Sequence, residues 1–454
     1  MQASTAFRGR LAVAPRPSES FTSTYSLARP RSHAMVWLVV AMFAAMPLAW
    51  ISLSQSALGV IRFAHLPALI LMVMSLPLWA GLGRRIWGMV AAVSFYTVSY
   101  AAFSWFNAAP PFAIQQGFYI VAAFAVASIF RTATAAEWRV LRWCGPAAVA
   151  SFLVFFWIDA HTAGVDPIAV YIQAVRSGQL ATVEYLLFQP VFNARLPPSP
   201  DGNFAVLPNI SHEIFSAVLI GIFVSIYART IVRRNSRFFV TTYWVSLAIA
   251  AVLIGLSLSR SVQLVALLAC LLPLTRSLLA KVHRQVTLYR AVVLVLLGAM
   301  VLASPVGGFA LKRITSDTAS YDARGSAISL AFEAIVKHPL TGSNRFAGVT
   351  RAELILHPEA VGAHNFVLEA AVIGGVITGL LALSVLVILA ADSFRVFRRY
   401  LTDPRYLAPV VGGIMGMVWM FTSGRLNQPE WMGIALLYGA SSAEPTWRQG
   451  ESHE

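Results

Sequence analysis

From Ala34 onward, apolar runs long enough to cross about 30 Å of hydrocarbon follow one another along the chain. No polar stretch between them is long enough to build a substantial separate soluble domain. Such runs satisfy their backbone hydrogen bonds only as helices packed side by side. The expected fold is therefore all-α: a polytopic integral membrane protein of about 12 transmembrane helices with two long loops on the outer face. The composition agrees, since 58% of the residues are hydrophobic and only 12% are charged, far from the balance of a soluble domain.

The formal charge of +15 raises the question of a nucleic-acid partner, and the distribution of the charges answers it. With the loops assigned alternately from an inner N-terminus, 23 Lys and Arg and 7 Asp and Glu fall inside, against 11 and 12 outside. That is the positive-inside bias of a membrane protein, and it accounts for the basic balance without nucleic acid. The densest basic group, Arg229, Arg233, Arg234 and Arg237, is the strongest marker of orientation.

Residues 1–33 are rich in Ser, Pro and Arg without an apolar period and read as a disordered inner tail. The first span, about Ala34 to Leu53, lies too far from the start for a signal peptide and reads as a retained anchor. Four more spans, Leu66–Gly83, Ile86–Phe106, Phe112–Phe130 and Leu141–Ala160, lead to a first outer loop at about 161–208. Further spans start at Ile210, Phe238, about Ser261 and Ala291, and a second outer loop runs from about 307 to 363. Three last spans end near residue 441, so 34–441 is one transmembrane domain and 442–454 a second inner tail. Cys144 and Cys270 fall in or beside spans, which indicates neither a disulfide framework nor a cysteine metal site.

The same alternation puts three groups of polar residues on one outer face. Ser259-Arg260-Ser261 heads a span. In the second loop, Ile328, Ala331, Phe332 and Ile335 have the spacing of an amphipathic helix with Arg324 on the same stripe, and His338-Pro339-Leu340-Thr341-Gly342 ends it. A turn through Gly342-Ser343-Asn344-Arg345-Phe346 follows. His364-Asn365-Phe366-Val367-Leu368-Glu369 then opens the glycine-punctuated run to Ala390, at a depth where polar groups are costly unless they have partners or work. Each residue alone has an ordinary explanation: His364 as an interfacial or capping residue, Arg260 snorkelling to headgroups, Arg324 as a solvated charge. Their common face is what singles them out.

These elements, in this order, resemble the core of the O-antigen ligase and polysaccharide polymerase superfamily over about Leu256 to Ala390. One departure is Asn344, where that family often has a second glycine. The resemblance implies a glycosyltransferase of the bacterial inner membrane that takes a glycan from a polyprenyl diphosphate at the periplasmic face and joins it to an acceptor hydroxyl, with both termini cytoplasmic. A ligase would pass the glycan to lipid A–core, and a polymerase would pass it to another lipid-linked glycan. His364 is then the expected general base, with Arg260 and Arg324 as diphosphate clamps and Asn365 and Arg345 as candidates to orient substrate. No cofactor is called for, and no carboxylate pair or Cys/His cluster has metal-ligand spacing.

A transporter of lipid or glycan is the alternative of a different class. Few charged residues lie at midplane depth, and the polar groups gather at the outer edge instead of lining a path across the membrane. Gly375 and Gly379 have the small-xxx-small spacing of helix packing, and outer acids such as Glu430 are expected to be solvated.

Overall fold

Eleven of the twelve expected spans coincide with a described helix. In chain order the helices are α1 (His33–Ala45), α2 (His65–Trp79), α3 (Arg84–Phe106), α4 (Phe112–Thr132), the short α5 (Ala135–Leu141), α6 (Cys144–Thr162), α7 (Ile210–Ile231), α8 (Arg237–Leu256), α9 (Arg260–Leu279), α10 (Ala319–Lys337), α11 (Phe366–Thr402), α12 (Leu407–Thr422) and α13 (Gln428–Ser442). The computed structural model describes residues 33–48, 52–56, 59–62, 65–106, 112–162, 210–232, 236–256, 260–279, 319–343, 365–422 and 428–442, with isolated positions between 166 and 176. The expected ninth span, the N-terminal tail, residues 443–454 and most of both long loops lie outside them.

Between α1 and α2 the helical pattern gives way to an antiparallel hairpin, β1 (Ser52–Ser56) and β2 (Gly59–Arg62), with Gln55 opposite Val60 and Ser56 opposite Gly59. Pro47, inside a single 3-10 turn, stops α1. The run Ser52-Leu53-Ser54-Gln55-Ser56 that follows is polar except for Leu53, with three serines, and competes poorly for a helix.

Three of the helices, α3, α8 over Arg237–Ile254, and α11, are by length and composition able to cross a membrane unaided. The side chains that no neighbour covers are largely apolar. Phe95, Val98, Trp105, Val252, Leu267, Leu380 and Val387 all stand exposed on helix flanks. Such a surface suits a hydrocarbon solvent and would be a liability in water.

The bundle is stitched by α11, which packs on α3 and α12, and by α13, which packs on α12 and α4. Helices α6 and α7 pair with each other, α1 lies on α6, and α9 lies on α12. Fully buried Trp138, Trp431, Phe130, Phe152, Phe215 and Phe366 fill the spaces between them.

At one end of the bundle the arginines collect. The Trp138 ring of α5 stacks on Phe130 at 5.4 Å and meets Tyr227 at 4.9 Å, tying α4, α5 and α7. The guanidinium of Arg142 lies 4.2 Å over Phe239, and that of Arg229 lies 4.3 Å over Tyr243. Arg276 Nε donates to the Tyr400 carbonyl at 3.0 Å, and Arg399 Nη1 to that of Ser441 at 3.2 Å. In the turn between α11 and α12, Arg405 grips Asp403 through both carboxylate oxygens. Burial opposes ionisation of Asp403, but the hydrogen bonds from Arg405 outweigh it and hold the carboxyl below its ordinary pKa.

The bond from Arg276 to Tyr400 also fixes a direction. It joins the last turn of α9 to the end of α11, so α9 and the part of α11 after its break run the same way, and the start of α9 lies at the opposite end of the bundle.

Candidate functional site

Helix α10 reaches the site end through its small residues. Ala327, Ala331 and Ala334 are buried, and the last two form a cluster with Val372 of α11, against which Ile335 and Leu368 pack. Of the expected stripe, Ala331 and Ile335 face this contact, while Ile328 and Phe332 turn away from it, Phe332 being 55% exposed. Alanines face the protein because they let two backbones approach closely, while the large apolar residues are left to the surroundings. Arg324 belongs by register to the alanine stripe, three residues before Ala327 and seven before Ala331, and its side chain lies outside the described atoms.

At the C-terminus of α10 the chain turns back on itself. Gly342 N–H donates to the His338 carbonyl at 3.0 Å, and Gly342 takes a left-handed conformation with φ 66°. The expected tight turn after His338-Pro339-Leu340-Thr341 is therefore present at Gly342, while Asn344 and Arg345 fall outside the described residues.

This turn docks into a break in α11. Gly375 has φ 71° and ψ −178°, a conformation essentially reserved for glycine, and it divides the 37-residue helix in two. A break frees an acceptor on one side and a donor on the other, and inside a membrane protein both need partners. The turn supplies them. Ser343 N–H donates to the Val372 carbonyl at 2.7 Å, and Val376 N–H donates to the Pro339 carbonyl at 2.8 Å. The contact is so close that a Cβ on Gly375 would come within 2.6 Å of the Leu340 carbonyl oxygen, and one on Gly342 would collide with the Ile373 carbonyl.

A third element closes the junction. Thr378 Oγ1 donates to the Gly374 carbonyl at 2.8 Å, and Ser99 of α3 lies 2.7 Å from the same hydroxyl oxygen. Gly379 faces Ala371 across the bend, close enough that a Cβ there would crowd the alanine methyl. The spacing of Gly375 and Gly379 therefore serves the fold of α11 onto itself, where the sequence had suggested one face of a straight helix.

The first half of α11 is anchored at its start. Asn365 is the N-cap, its Oδ1 accepting from Val367 N–H and Leu368 N–H at 3.1 Å each. Phe366 is buried against Tyr96 of α3, with ring centroids 4.8 Å apart. His364 stands immediately before the cap and lies outside the described residues. Arg260 opens α9, and only its backbone is described; its neighbour Ser261 donates to Thr422 Oγ1 at 2.8 Å and so pins the start of α9 to the end of α12.

Residues 245–383 match the family model described as O-antigen ligase. Within these residues the chain is similar to the O-antigen ligase superfamily. The match takes in the second half of α8, then α9, α10 and the break in α11, just under a third of the chain. No curated protein matches the chain.

The matched ligase-type segment thus contains the whole of the clip between α10 and α11, along with the starts of α9 and α11. Two features of this end were missed in the sequence. Glu430, expected to be solvated, is fully buried in the first turn of α13, beside Trp431, whose Nε1 reaches Gln116 Oε1 of α4 at 3.4 Å. The break at Gly375 was hidden too. The adjacent pair Gly374-Gly375, unusual in the middle of an apolar run, was the available signal.

Proposed function

We propose that this protein transfers a glycan from a polyprenyl-diphosphate carrier to an acceptor hydroxyl at the periplasmic face of the bacterial inner membrane, in the manner of an O-antigen ligase with lipid A–core as acceptor. The observation that carries the reading is the common end of the start of α9 and the clip of α10 onto α11, inside the segment that matches the O-antigen ligase family. On this reading Arg260 at the start of α9, Arg324 in the helix clipped onto α11, and His364, next to the α11 cap in the sequence, act together.

The chemistry needs little more. The acceptor oxygen attacks the anomeric carbon, the bond from that carbon to the diphosphate oxygen breaks, and the electron pair leaves with the diphosphate. His364 takes the acceptor proton, a role suited to an imidazole whose ordinary pKa is about 6.5. The guanidinium forks of Arg260 and Arg324 hold the diphosphate by paired charge-assisted hydrogen bonds and stabilise its growing charge. Asn365 contributes by capping: its carbonyl is spent on the α11 backbone, and this fixes where the helix begins and where its positive N-terminal end points. Arg345 is a further orienting residue in the same loop. The transfer needs no metal ion.

Glycan transfer and donor binding, measured at matched protein level in membranes, test the assignment. His364→Ala should lower transfer by about 10²- to 10⁴-fold while leaving donor binding largely intact. Arg324→Lys should weaken both despite keeping the charge, because an ammonium cannot make the planar two-point contact. Near wild-type transfer by His364→Ala would overturn the mechanism.

A further inference from the structure

At the arginine-rich end, between the last turns of α11 and α13 and the start of α3, lies a cavity of about 340 Å³ lined by Arg85, Asp392, Arg395, Arg399, Tyr438 and Ser441 among others. It is at the far end of the bundle from the clip and from the start of α9. The only carboxylate among the residues that line it is Asp392, which is buried and already engaged. Its Oδ1 accepts from Arg395 Nη1 at 2.7 Å and its Oδ2 from the Tyr438 hydroxyl at 3.0 Å. Three guanidinium groups against one carboxylate leave the lining with two positive charges in excess.

Those two charges belong in effect to Arg85 and Arg399, which have no carboxylate partner among the described residues. Arg399 spends one N–H on the Ser441 carbonyl, which steadies the guanidinium and leaves its other donors available. Arg85 comes from the start of α3, so the two arginines approach from different helices. Convergent guanidinium groups with hydroxyl donors beside them form a site for a tetrahedral oxyanion, and the guanidinium fork matches phosphate in two points. Basic pockets between membrane helices at the level of the headgroups take anionic lipids for this reason.

We infer that this cavity binds a phosphate-bearing anion, with the headgroup of an anionic phospholipid as its source. The inference does not rest on the transfer reaction, and its test does not read transfer.

The full-length chain in a neutral detergent is titrated with dihexanoyl phosphatidylglycerol, with dihexanoyl phosphatidylcholine and with inorganic phosphate. The anionic lipid should saturate at one per chain, bind about tenfold more tightly than the zwitterionic one, and weaken as salt is added. Arg85→Gln and Arg399→Gln should each weaken it about tenfold, and Arg399→Lys less. Inorganic phosphate that competes at similar concentration keeps the site but makes soluble phosphate its source; phosphate that fails to compete assigns the lipid. Should the glutamine variants fold poorly, Arg399→Lys and the salt dependence of the wild type decide. Absence of saturable binding by either anion, salt-insensitive binding, or binding unchanged in the arginine variants overturns the inference.

Discussion

The two ends of this bundle are held together in different ways. At the clip, α10 and α11 meet backbone to backbone, through Ser343 and Val376 N–H and the Val372 and Pro339 carbonyls. At the arginine end, long side chains reach across to carbonyls and ring faces, as Arg276 does to Tyr400 and Arg142 to Phe239. The first kind of contact depends on what two residues lack and leaves no room to adjust. The second depends on flexible chains that have other partners and water within reach. Rigidity therefore belongs to the clip, and tolerance to the opposite end.

Gly375→Ala should break the comparison open most clearly. A methyl there meets both a glycine-only conformation and the Leu340 carbonyl, for a cost of roughly 2–5 kcal/mol. Thermal melting in detergent should fall sharply and transfer should be lost; Gly342→Ala should behave alike, and melting unchanged from wild type in both would mean that the clip does not hold this end.

Next in size is the Asn365 cap, whose loss in Asn365→Ala should cost about 1 kcal/mol. Asn365→Asp keeps the accepting oxygen. Recovery of stability and of transfer together by the aspartate assigns capping alone, whereas stability without transfer would show that the amide N–H also contacts substrate.

A comparable cap can be removed at the arginine end. Thr134 and Glu137 form a reciprocal capping box at the start of α5, and Thr134→Ala should again cost about 1 kcal/mol in melting. Here transfer at matched protein level should stay at wild type, because the change lies far from the clip and from the start of α9. A loss of transfer as large as that of Asn365→Ala would erase the distinction between the ends.

The smallest effect concerns Asp403. Its carboxyl is held below the ordinary range in the folded state, so its pairing with Arg405 stabilises at neutral pH and is lost as pH falls through the folded-state pKa. Asp403→Asn should melt slightly lower than wild type at pH 7, and the gap should close below about pH 4. A gap that widens in acid would reverse the sign and the assignment.

Much of this was legible in the sequence, and the reasons differ from residue to residue. Helix positions followed from the apolar runs, and the stop of α10 at Lys337 followed from Pro339. Which side of the α10 stripe packs was not legible, because hydrophobic period cannot separate a face turned to protein from one turned to lipid, and the alanines that pack are less apolar than the phenylalanine that does not. Gly375 and Gly379 misled for a related reason: a spacing of four is the same whether the helix is straight or folded on itself. Glu430 looked like a loop charge because its position in the sequence is near a helix end, and only the tertiary packing shows it buried. His364, Arg345 and the side chains of Arg260 and Arg324 rest on the sequence and the family match.

The clip also carries a consequence for biogenesis. A straight α11 of 37 residues would be about 55 Å long at 1.5 Å per residue, far more than the hydrocarbon thickness of about 30 Å. The segment that bends it, Pro339 to Ser343, precedes it in the chain and leaves the ribosome first. The apolar run is therefore made after the segment that bends it. Cells carrying a blocked clip should accumulate a chain whose segments are threaded across the membrane in the right order but whose α10 never seats, a substrate for quality-control proteases and not for the insertion machinery.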